Sequence, residues 1–506
     1  MTWSANFQNS LESPSTVISY EVRFYRLPST ALPNSSGRLK ETGRIAITDE
    51  EIEIVGVSVV PPTWGITFGG FAINITGNIT PIKSGPFRKG NVASLHMSRN
   101  NLPFERVCIG QLRSVSGVRG QWRLEFVDVL TMIYSRVTLQ ANKSPFYYNA
   151  GDSTTVSSAF NISLDTRLYV ADVSKFEKDS SENGIIKVES GGSTDFYEYG
   201  SINTGGGFLN ITSNGNYPGD ATLNTLPIGA TVTNLARTKG RPDEVLHRTL
   251  ISIDGNQTEG VFDTYPRSYG VNVRWGASIW DTIDANIHYL SILKASSSVD
   301  LKVDIVHDAP VTEGLRDLLS KLALMGVWPV WRHDKMSVRG CQQLQNSPII
   351  ALKITDNDII EILSHDIYAR NQQLIYTLHS NKYRNASASA TQSAGTTANL
   401  IPIGKNLERD FTDILERGSN TLTMVSSISS RLKTYDFRNY EELVLRVTEK
   451  AAGLVAGDIV TLSSRFIYGF DEAKGKTYHG KKAMVIGVIW RPKQRSVTLS
   501  LAVGDQ

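Results

Sequence analysis

RVCIGQLRSVSGVRGQWRLEFVDVLTMIYSR, from Arg106 to Arg136, is the stretch that decides the fold. Its two halves, RVCIGQL (Arg106 to Leu112) and QWRLEFVDV (Gln121 to Val129), are rich in β-branched and aromatic residues. The second alternates, with Trp122, Leu124, Phe126 and Asp128 on one face, as a strand with one wet side does. Between them SVSGVRG, Ser114 to Gly120, supplies Gly117 and Gly120 for a short connection, so the stretch predicts a β-hairpin. Outward from the hairpin, short strand-like runs broken by Gly, Pro, Asn and Ser extend from Thr16 to about Leu139, YEVRFY (Tyr20 to Tyr25) among them. With no helical period between the runs, a sandwich or small barrel is the expected closure.

A second β segment follows from about Thr166 to Arg237. It contains LYVADV (Leu168 to Val173), GIIKVES (Gly184 to Ser190) and DFYEYGSI (Asp195 to Ile202), turns at Gly191-Gly192 and Gly205 to Gly207, and a closing IGATVTNLAR. Roughly 70 residues is near the lower limit for independent stability, so this module is expected to need its neighbours. Helical period then appears. RPDEVLHRTLI (Arg241 to Ile251) has Pro242 for the first turn, Asp243 and Glu244 to complement the helix dipole, and an apolar face at Val245, Leu246, Thr249 and Leu250. TEGLRDLLSKLAL (Thr312 to Leu324) places Leu315, Leu318, Leu319 and Leu322 on one face, with Gly326 at the C-cap. VWPVW, RHDK and MSVRG (Val327 to Gly340) read as strand, tight turn and strand, and DNDIIEIL (Asp356 to Leu363) as a short helix.

NASASATQSAGTTAN (Asn385 to Asn399) is small and polar, with too little apolar surface to offset its ordering entropy, and predicts a mobile loop or linker. NTLTMVSSISSRL (Asn420 to Leu432) predicts a helix with Leu422, Val425, Ile428 and Leu432 on one side. The chain ends in strands: EELVLRVTE (Glu441 to Glu449), DIVTLSSRF (Asp458 to Phe466), KAMVIGVIWRP (Lys482 to Pro492) and RSVTLSLAV (Arg495 to Val503), enough for a second small barrel. The expected fold is therefore mainly β with some α, multidomain: two small β-barrels, a β insert and an α/β middle region. The expected divisions are 1–165 (N-terminal barrel-like), 166–240 (Gly-rich β module), 241–380 (α/β region), 381–430 (Ser/Thr/Ala-rich loop and helix) and 431–506 (C-terminal barrel-like).

Composition narrows the function. A length of 506 residues is a prior for about three or four domains. Lys+Arg 52 against Asp+Glu 49 leaves only +3, too little basic excess for a protein whose main task is gripping phosphates. Hydrophobic residues at 40% and charged residues at 20% argue against wholesale disorder. No stretch approaches the length of an apolar membrane span, and MTWSANFQNSLESPS has neither a basic n-region nor an apolar h-region, so neither a span nor a secretory signal is expected. Cys108 and Cys341, far apart, read as buried thiols and not as a disulfide framework or zinc cluster.

Motifs with recognisable chemistry are lacking: no Walker loop, paired-histidine zinc motif, serine elbow or EF-hand loop stands in the sequence. Asp304, His307 and Asp308 (DIVHD) have the residue types of a metal site, but they close a strand before Ala309-Pro310, where polar residues make turn hydrogen bonds. His333-Asp334 sits in a predicted turn, and His365-Asp366 follows the predicted helix, so both read as solvated or dipole-facing pairs. Gly69-Gly70 and Gly205 to Gly207 lack the strand-to-helix setting of a nucleotide fingerprint and read as turns. Trp64, Trp122, Trp275, Trp280, Trp328, Trp331 and Trp490 read as packing residues over a carbohydrate platform. The sequons at Asn74, Asn78 and Asn210 are discounted in the absence of a signal peptide. No catalytic, cofactor-binding or metal-binding residue is assigned, and no cofactor is expected.

In their order, four motifs carry a resemblance: the block from Arg106 to Arg136, RPDEVLHRTLI, the helix and hairpin from Thr312 to Arg339, and LVAGDIVTLSS (Leu454 to Ser464) followed by KAMVIGVIW and RSVTLSL. Leu454, Gly457, Asp458 and Val460 form the best local match. The set resembles the tail hub proteins of tailed bacteriophages and gene transfer agents, related to the baseplate hub of contractile tails. The resemblance implies a structural virion protein and no enzyme: a homotrimeric ring whose two barrels per subunit adapt a six-fold tail tube to a three-fold tip while DNA passes through the lumen. It implies as partners other copies of the chain, a tail tube or distal tail protein, a tip or fibre protein and the tape measure protein, in a virion tail assembled in the host bacterial cytoplasm. Two other classes stay open on the residues. One is a tail-associated cell-wall hydrolase, with DIVHD the first place to look, and the other is a carbohydrate- or receptor-binding protein using exposed aromatics and the Gly-rich insert.

Overall fold

Alternation predicts where strands form, and the N-terminal hairpin forms where it should. The computed structural model describes residues 3–12, 17–26, 40–47, 51–61, 63–76, 91–118, 120–128, 151–161, 163–176, 178, 183–216, 225–250, 281–289, 299–307, 314–332, 335–342, 344, 348–368, 373–378, 388–393, 407–411, 414, 421–436, 440–468 and 477–503. A short helix α1 (Ala5–Ser10), whose Phe7 N–H donates to the Ser4 hydroxyl, precedes β1 (Ile18–Arg26), β2 (Lys40–Ile47), β3 (Ile52–Val55), β4 (Ser58–Val60), β5 (Gly65–Thr67), β6 (Gly70–Thr76), β7 (Val92–Arg99), β8 (Glu105–Val118) and β9 (Gln121–Asp128). Seven of these run in the antiparallel order β2-β1-β7-β8-β9-β6-β3, while β4 pairs with β5. Leu124, Phe126 and Asp128 are buried, the face marked by the alternation. Gly117 corrects the expected turn: Val118 already pairs with Gln121, and Gly117 stands in the strand opposite Trp122. A Cβ there would lie 2.1 Å from the Gln121 carbonyl oxygen, so close strand approach, not reversal, requires this glycine. The reversal itself uses Gly120, at φ 81°.

The Gly-rich segment forms its own sheet from β10 (Ser153–Thr155), β12 (Arg167–Tyr169), β13 (Gly184–Ser190), β14 (Ser193–Asn203), β15 (Phe208–Asn216) and β17 (Thr231–Gly240), beside a small pair β11 (Phe160–Asn161) and β16 (Thr225–Leu226). The order is β10-β17-β13-β14-β15-β12, around a core that includes Ile186, Val188, Tyr197, Tyr199, Leu209 and Val232. Both expected glycine turns occur, with Gly191, Gly192 and Gly207 at positive φ. LYVADV is a strand only to Tyr169. Val173–Lys175 coils into a 3-10 turn because the Asp172 carboxylate accepts from both the N–H and the hydroxyl of Ser174.

Helix α2 (Pro242–Leu250) begins at the proline, and Glu244 accepts from the Arg241 N–H, half of a capping box. Val245 and Leu246 are buried as expected, while the side chains of Thr249 and Leu250 lie outside the described residues. Then come α3 (Thr282–His288) and β18 (Val303–His307), which adds to β17. Helix α4 (Gly314–Leu324) buries Leu318, Leu319 and Leu322, and the side chain of Leu315 lies outside the described residues. At Gly326, φ 73°, a Cβ would meet Leu432 at 2.7 Å and Cys341 at 2.9 Å, so no other residue fits this helix stop. The hairpin β19 (Val327–Arg332) and β20 (Lys335–Gly340) forms in the expected register, although 333–334 lie outside the described residues.

Two expectations fail in the next stretch. Asp356 to Leu363 is not a helix: after β21 (Ile350–Thr355), residues from Ile359 belong to β22 (Ile359–Tyr368). Asp358 accepts from the Thr355 N–H and hydroxyl and turns the chain, and tertiary pairing overrides the weak helical period beyond it. The Ser-rich segment is in part a strand. β23 (Gln373–Leu378), β24 (Ala388–Ser393) and β25 (Leu407–Asp410) form a small sheet in which the backbone of Ala388–Ser393 pairs antiparallel with β23; 385–387 and 394–399 lie outside the described residues. Helix α5 (Thr421–Asp436) packs on this sheet, burying Met424, Val425, Ile428, Leu432 and Tyr435. Leu422 is 54% exposed, so the buried stripe runs through Met424 and not through Leu422.

The last strands are β26 (Tyr440–Thr448), β27 (Ile459–Tyr468), β28 (Thr477–Arg491) and β29 (Ser496–Val503). They take up β21 and β22 in the order β21-β27-β28-β29-β26-β22. Through β28 pairing with β3, this unit and the N-terminal one form a single 13-stranded sheet over a shared apolar core. The protein is mainly β and multi-sheet. A second core fills the layer between α2, α3, α4, α5 and the β19-β20 hairpin.

Candidate functional site

Among the described residues, those singled out for chemistry do not gather into one site. Asp304, in β18, accepts from Arg237 Nε and Nη2, each at 2.8 Å, a bidentate buried pair that also ties Arg237 to Glu198. A carboxylate held in this way is a joint between the Gly-rich sheet and the central layer. The side chain of His307, together with Asp308, His333 and Asp334, lies outside the described residues. Among the described residues no group of three or more His, Cys, Asp or Glu is placed to hold a metal ion. His365 is not at a helix end but in β22, where its Nε2 lies 2.8 Å from Glu441, and the Tyr478 hydroxyl donates to the same carboxylate. Burial and that carboxylate push the Tyr478 hydroxyl far above its ordinary range, so it is a donor and not a nucleophile.

Gly69 and Gly70 are not a turn. A Cβ on Gly69 would lie 1.9 Å from the Val55 carbonyl oxygen, and Gly70 leads directly into β6. Gly205 to Gly207 do form one. Trp64, Trp328 and Trp490 are buried, Trp64 stacks on Trp328 at 5.8 Å, and Trp122 and Trp331 are half-buried, so the described tryptophans are packing residues; Trp275 and Trp280 lie outside the described residues. Of the sequons, Asn74 stands in β6 and Asn210 in β15, and Asn78 lies outside the described residues. Cys341 is buried and Cys108 half-buried, both free thiols, and burial raises the Cys108 thiol well above its usual value.

The polar constellation that the fold does assemble lies where α3, the β19-β20 hairpin and the C-terminal β unit meet. Arg339, in β20, is 2% exposed. Its Nη1 donates to Asp284 Oδ2 at 2.6 Å and its Nε to Asp458 Oδ1 at 2.9 Å, while Arg332 Nη1 reaches Asp284 Oδ1 at 2.7 Å and the Ser337 hydroxyl donates to Asp284 Oδ2. Burial alone would raise the Asp284 carboxyl. The hydrogen bond and charge of Arg339, with Ser337 and Arg332, outweigh it and hold that group well below the usual carboxylate range. Buried His288 accepts from the Gly340 N–H at 3.0 Å, and desolvation, helped by Arg339, keeps it neutral.

This constellation explains the segment LVAGDIV. Asp458 accepts from the Val455 N–H and from Arg339, Gly457 takes φ 100° where a Cβ would lie 2.8 Å from Arg339 Cβ, and the Trp328 indole N–H donates to the Ala456 carbonyl at 3.1 Å. Gln342 Nε2 donates to the Gly457 carbonyl. The helix-hairpin motif and the LVAGDIV motif are thus two halves of one docking joint. Its carboxylates are committed to guanidinium groups, and its chemistry is cohesion, not proton transfer. Asp458 and Gly457 stand out in the sequence, but Asp284 and Arg339 do not. The available signal for Arg339 is a charge at an inward position of an otherwise buried strand, Met336 to Gly340.

No family model and no curated protein matches the sequence. Among solved structures, the chain is similar to a tail protein from Neisseria meningitidis MC58 at 10% identity, covering 96% of each chain with a TM-score of 0.39. It is similar to a prophage tail protein from Listeria monocytogenes EGD-e at 8% identity, over 95% of this chain and 94% of that one, with a TM-score of 0.41. It is also similar to a chain of a native gene transfer agent virion at 11% identity, over 78% of this chain and 82% of that one, with a TM-score of 0.32.

Proposed function

We propose that this chain is a structural protein of a phage-type tail, a hub whose copies close into a three-fold ring joining the tail tube to the distal tip and leaving a lumen for DNA. The observation that carries the reading is the pairing of the N-terminal and C-terminal β units side by side in one sheet through β3 and β28. A subunit built in that way presents two β surfaces in tandem, so three copies in a closed head-to-tail ring would offer six docking positions. The reading needs no active site. It takes support from the docking of the helix-hairpin motif on LVAGDIV, because two of the four motifs that carry the hub resemblance are then one structural unit. Its partners are further copies of the chain, a tube or distal tail protein, a tip or fibre protein and the tape measure protein, in a virion tail assembled in the host bacterial cytoplasm.

The test combines mass and location. Light scattering on the purified chain should give a species near three times 55.7 kDa, and antibody labelling of intact particles should mark the tail where it meets its tip. A strict monomer that is also absent from purified tails would end the hub reading.

A further inference from the structure

Between the two β units lies a joint with little backbone pairing. β3 and β28 share two residue pairs, Ile489 with Val55 and Trp490 with Ile54, extended by one hydrogen bond from the Gly56 N–H to the Val488 carbonyl. Residues 3–12 cross this joint. Trp3 is 5% exposed, packs on Trp490 with ring centroids 5.7 Å apart and on Phe7 at 5.1 Å, and donates its indole N–H to the Arg106 carbonyl at 3.1 Å. Phe7 is fully buried, and Arg99 lies over its ring. Arg99 Nη1 donates to the Ser10 carbonyl, while its Nη2 pairs with Glu449 of the C-terminal unit at 2.6 Å, and the Trp490 indole N–H donates to that same carboxylate. One short segment therefore touches the N-terminal sheet through Arg106 and Arg99 and the C-terminal unit through Trp490.

We propose that residues 3–12 are a releasable strap that sets the angle between the two β units. Three observations make it a strap and not simply more core. The segment belongs to no sheet, so its departure breaks no strand ladder. Its helix α1 has 6 residues, too few to be stable apart from its docking. A cavity of about 70 Å³ lies against Trp3, lined also by Val55, Ile109, Leu454, Val488 and Trp490 from both β units, so the joint has free volume at the place where a hinge would move. With the strap seated, the Trp3 ring bridges the joint and Phe7 packs against it; with it displaced, the two pairs of the β3-β28 ladder and the side chains beside them become the pivot. The inference is independent of any role in a tail.

Amide hydrogen exchange on the full chain tests it, with Trp3→Ala as the loosening variant and Ser4→Cys/Glu105→Cys, oxidised, as the lock; the Ser4 N–H already reaches the Glu105 carboxylate at 3.3 Å. In Trp3→Ala, the amides at 54–56 and 488–490 should exchange at least about tenfold faster while those of β13 and β14 keep their rates. In the locked form the joint amides should exchange more slowly than in the parent chain. Unchanged joint amides in Trp3→Ala, equal acceleration throughout the chain, or a Trp3→Ala chain that does not fold would each overturn the proposal, the last because a segment whose loosening unfolds the protein is core. A lock that leaves the joint at the parent rate would show that the strap does not open in the native protein.

Discussion

The two sides of the central layer handle buried charge in opposite ways. On the hairpin side, Arg339 has carboxylates on all three of its guanidinium nitrogens, from α3 and from the loop before β27. On the α5 side, Arg431 is 4% exposed, and among the described residues its Nε, Nη1 and Nη2 have no hydrogen-bond partner. Burial lowers its pKa to about 10, not far enough to discharge it at neutral pH. One arginine joins three parts of the chain, whereas the other is a charge that the surrounding packing must tolerate. The difference shows that a buried ion contributes cohesion only when acceptors arrive from separate elements. Without them it marks a face whose packing is opposed by desolvation.

The contrast is sharpest at Arg339 itself. Arg339→Met leaves Asp284 and Asp458 buried without their shared guanidinium, and urea unfolding should show a loss of about 3–5 kcal/mol. The same substitution on the other side should act with the opposite sign: Arg431→Met is expected to stabilise by about 1–4 kcal/mol, because a flexible apolar chain replaces an unpaired ion. A loss at Arg431→Met would break the comparison and mean that the guanidinium is paired after all.

Histidine titration comes next in size. His96 donates to or accepts from Ser94 Oγ at 2.7 Å, and burial, then the charges of Arg23, Arg106 and Arg44, lower its pKa from 6.5 to about 3. His288 shifts in the same direction. A depressed folded-state pKa means that the unfolded chain binds the proton first, so the stabilisation is complete above 6.5 and is lost as pH falls from there towards 3. At pH 5 the loss from one such group is roughly 2 kcal/mol. Thermal unfolding at pH 7.5 and pH 5 should show it, and His96→Gln should remove its share of the difference. Asp284, shifted downward, keeps its pairing throughout that range and yields only in stronger acid, below the usual carboxylate range. The smallest effect belongs at the surface: Arg123 and Glu125 form a pair 44% and 46% exposed, and Arg123→Ala should change stability by less than about 0.5 kcal/mol, read from the urea midpoint.

Legibility followed the range of the interaction. YEVRFY, the β8-β9 hairpin, α2, α4, the β19-β20 hairpin and the four C-terminal strands were all readable because period and turn chemistry are written within a few residues. DNDIIEIL misled because its apolar residues suit either period over so short a run, and the pairing of β22 with β26 decided it. The Ser-rich stretch misled because a composition of small polar residues argues for a loop, yet its backbone could still join a ladder beside β23. In the docking joint, Gly457 and Asp458 were visible as turn chemistry, but nothing near Asp284 announces that it meets an arginine 55 positions away.

By itself the sequence determined the mainly β character, the sites of most strands and helices, and the glycines at Gly120, Gly191, Gly192 and Gly326, because each depends on backbone preference and local alternation. Only the tertiary structure decided that the first and last β units share a sheet through β3 and β28, and that Arg99 finds Glu449 across 350 positions. It alone placed residues 3–12 over the joint between those units. Such contacts are selected by complementary burial after the chain collapses, and a charge or an aromatic ring carries no local mark of the distant partner that will satisfy it.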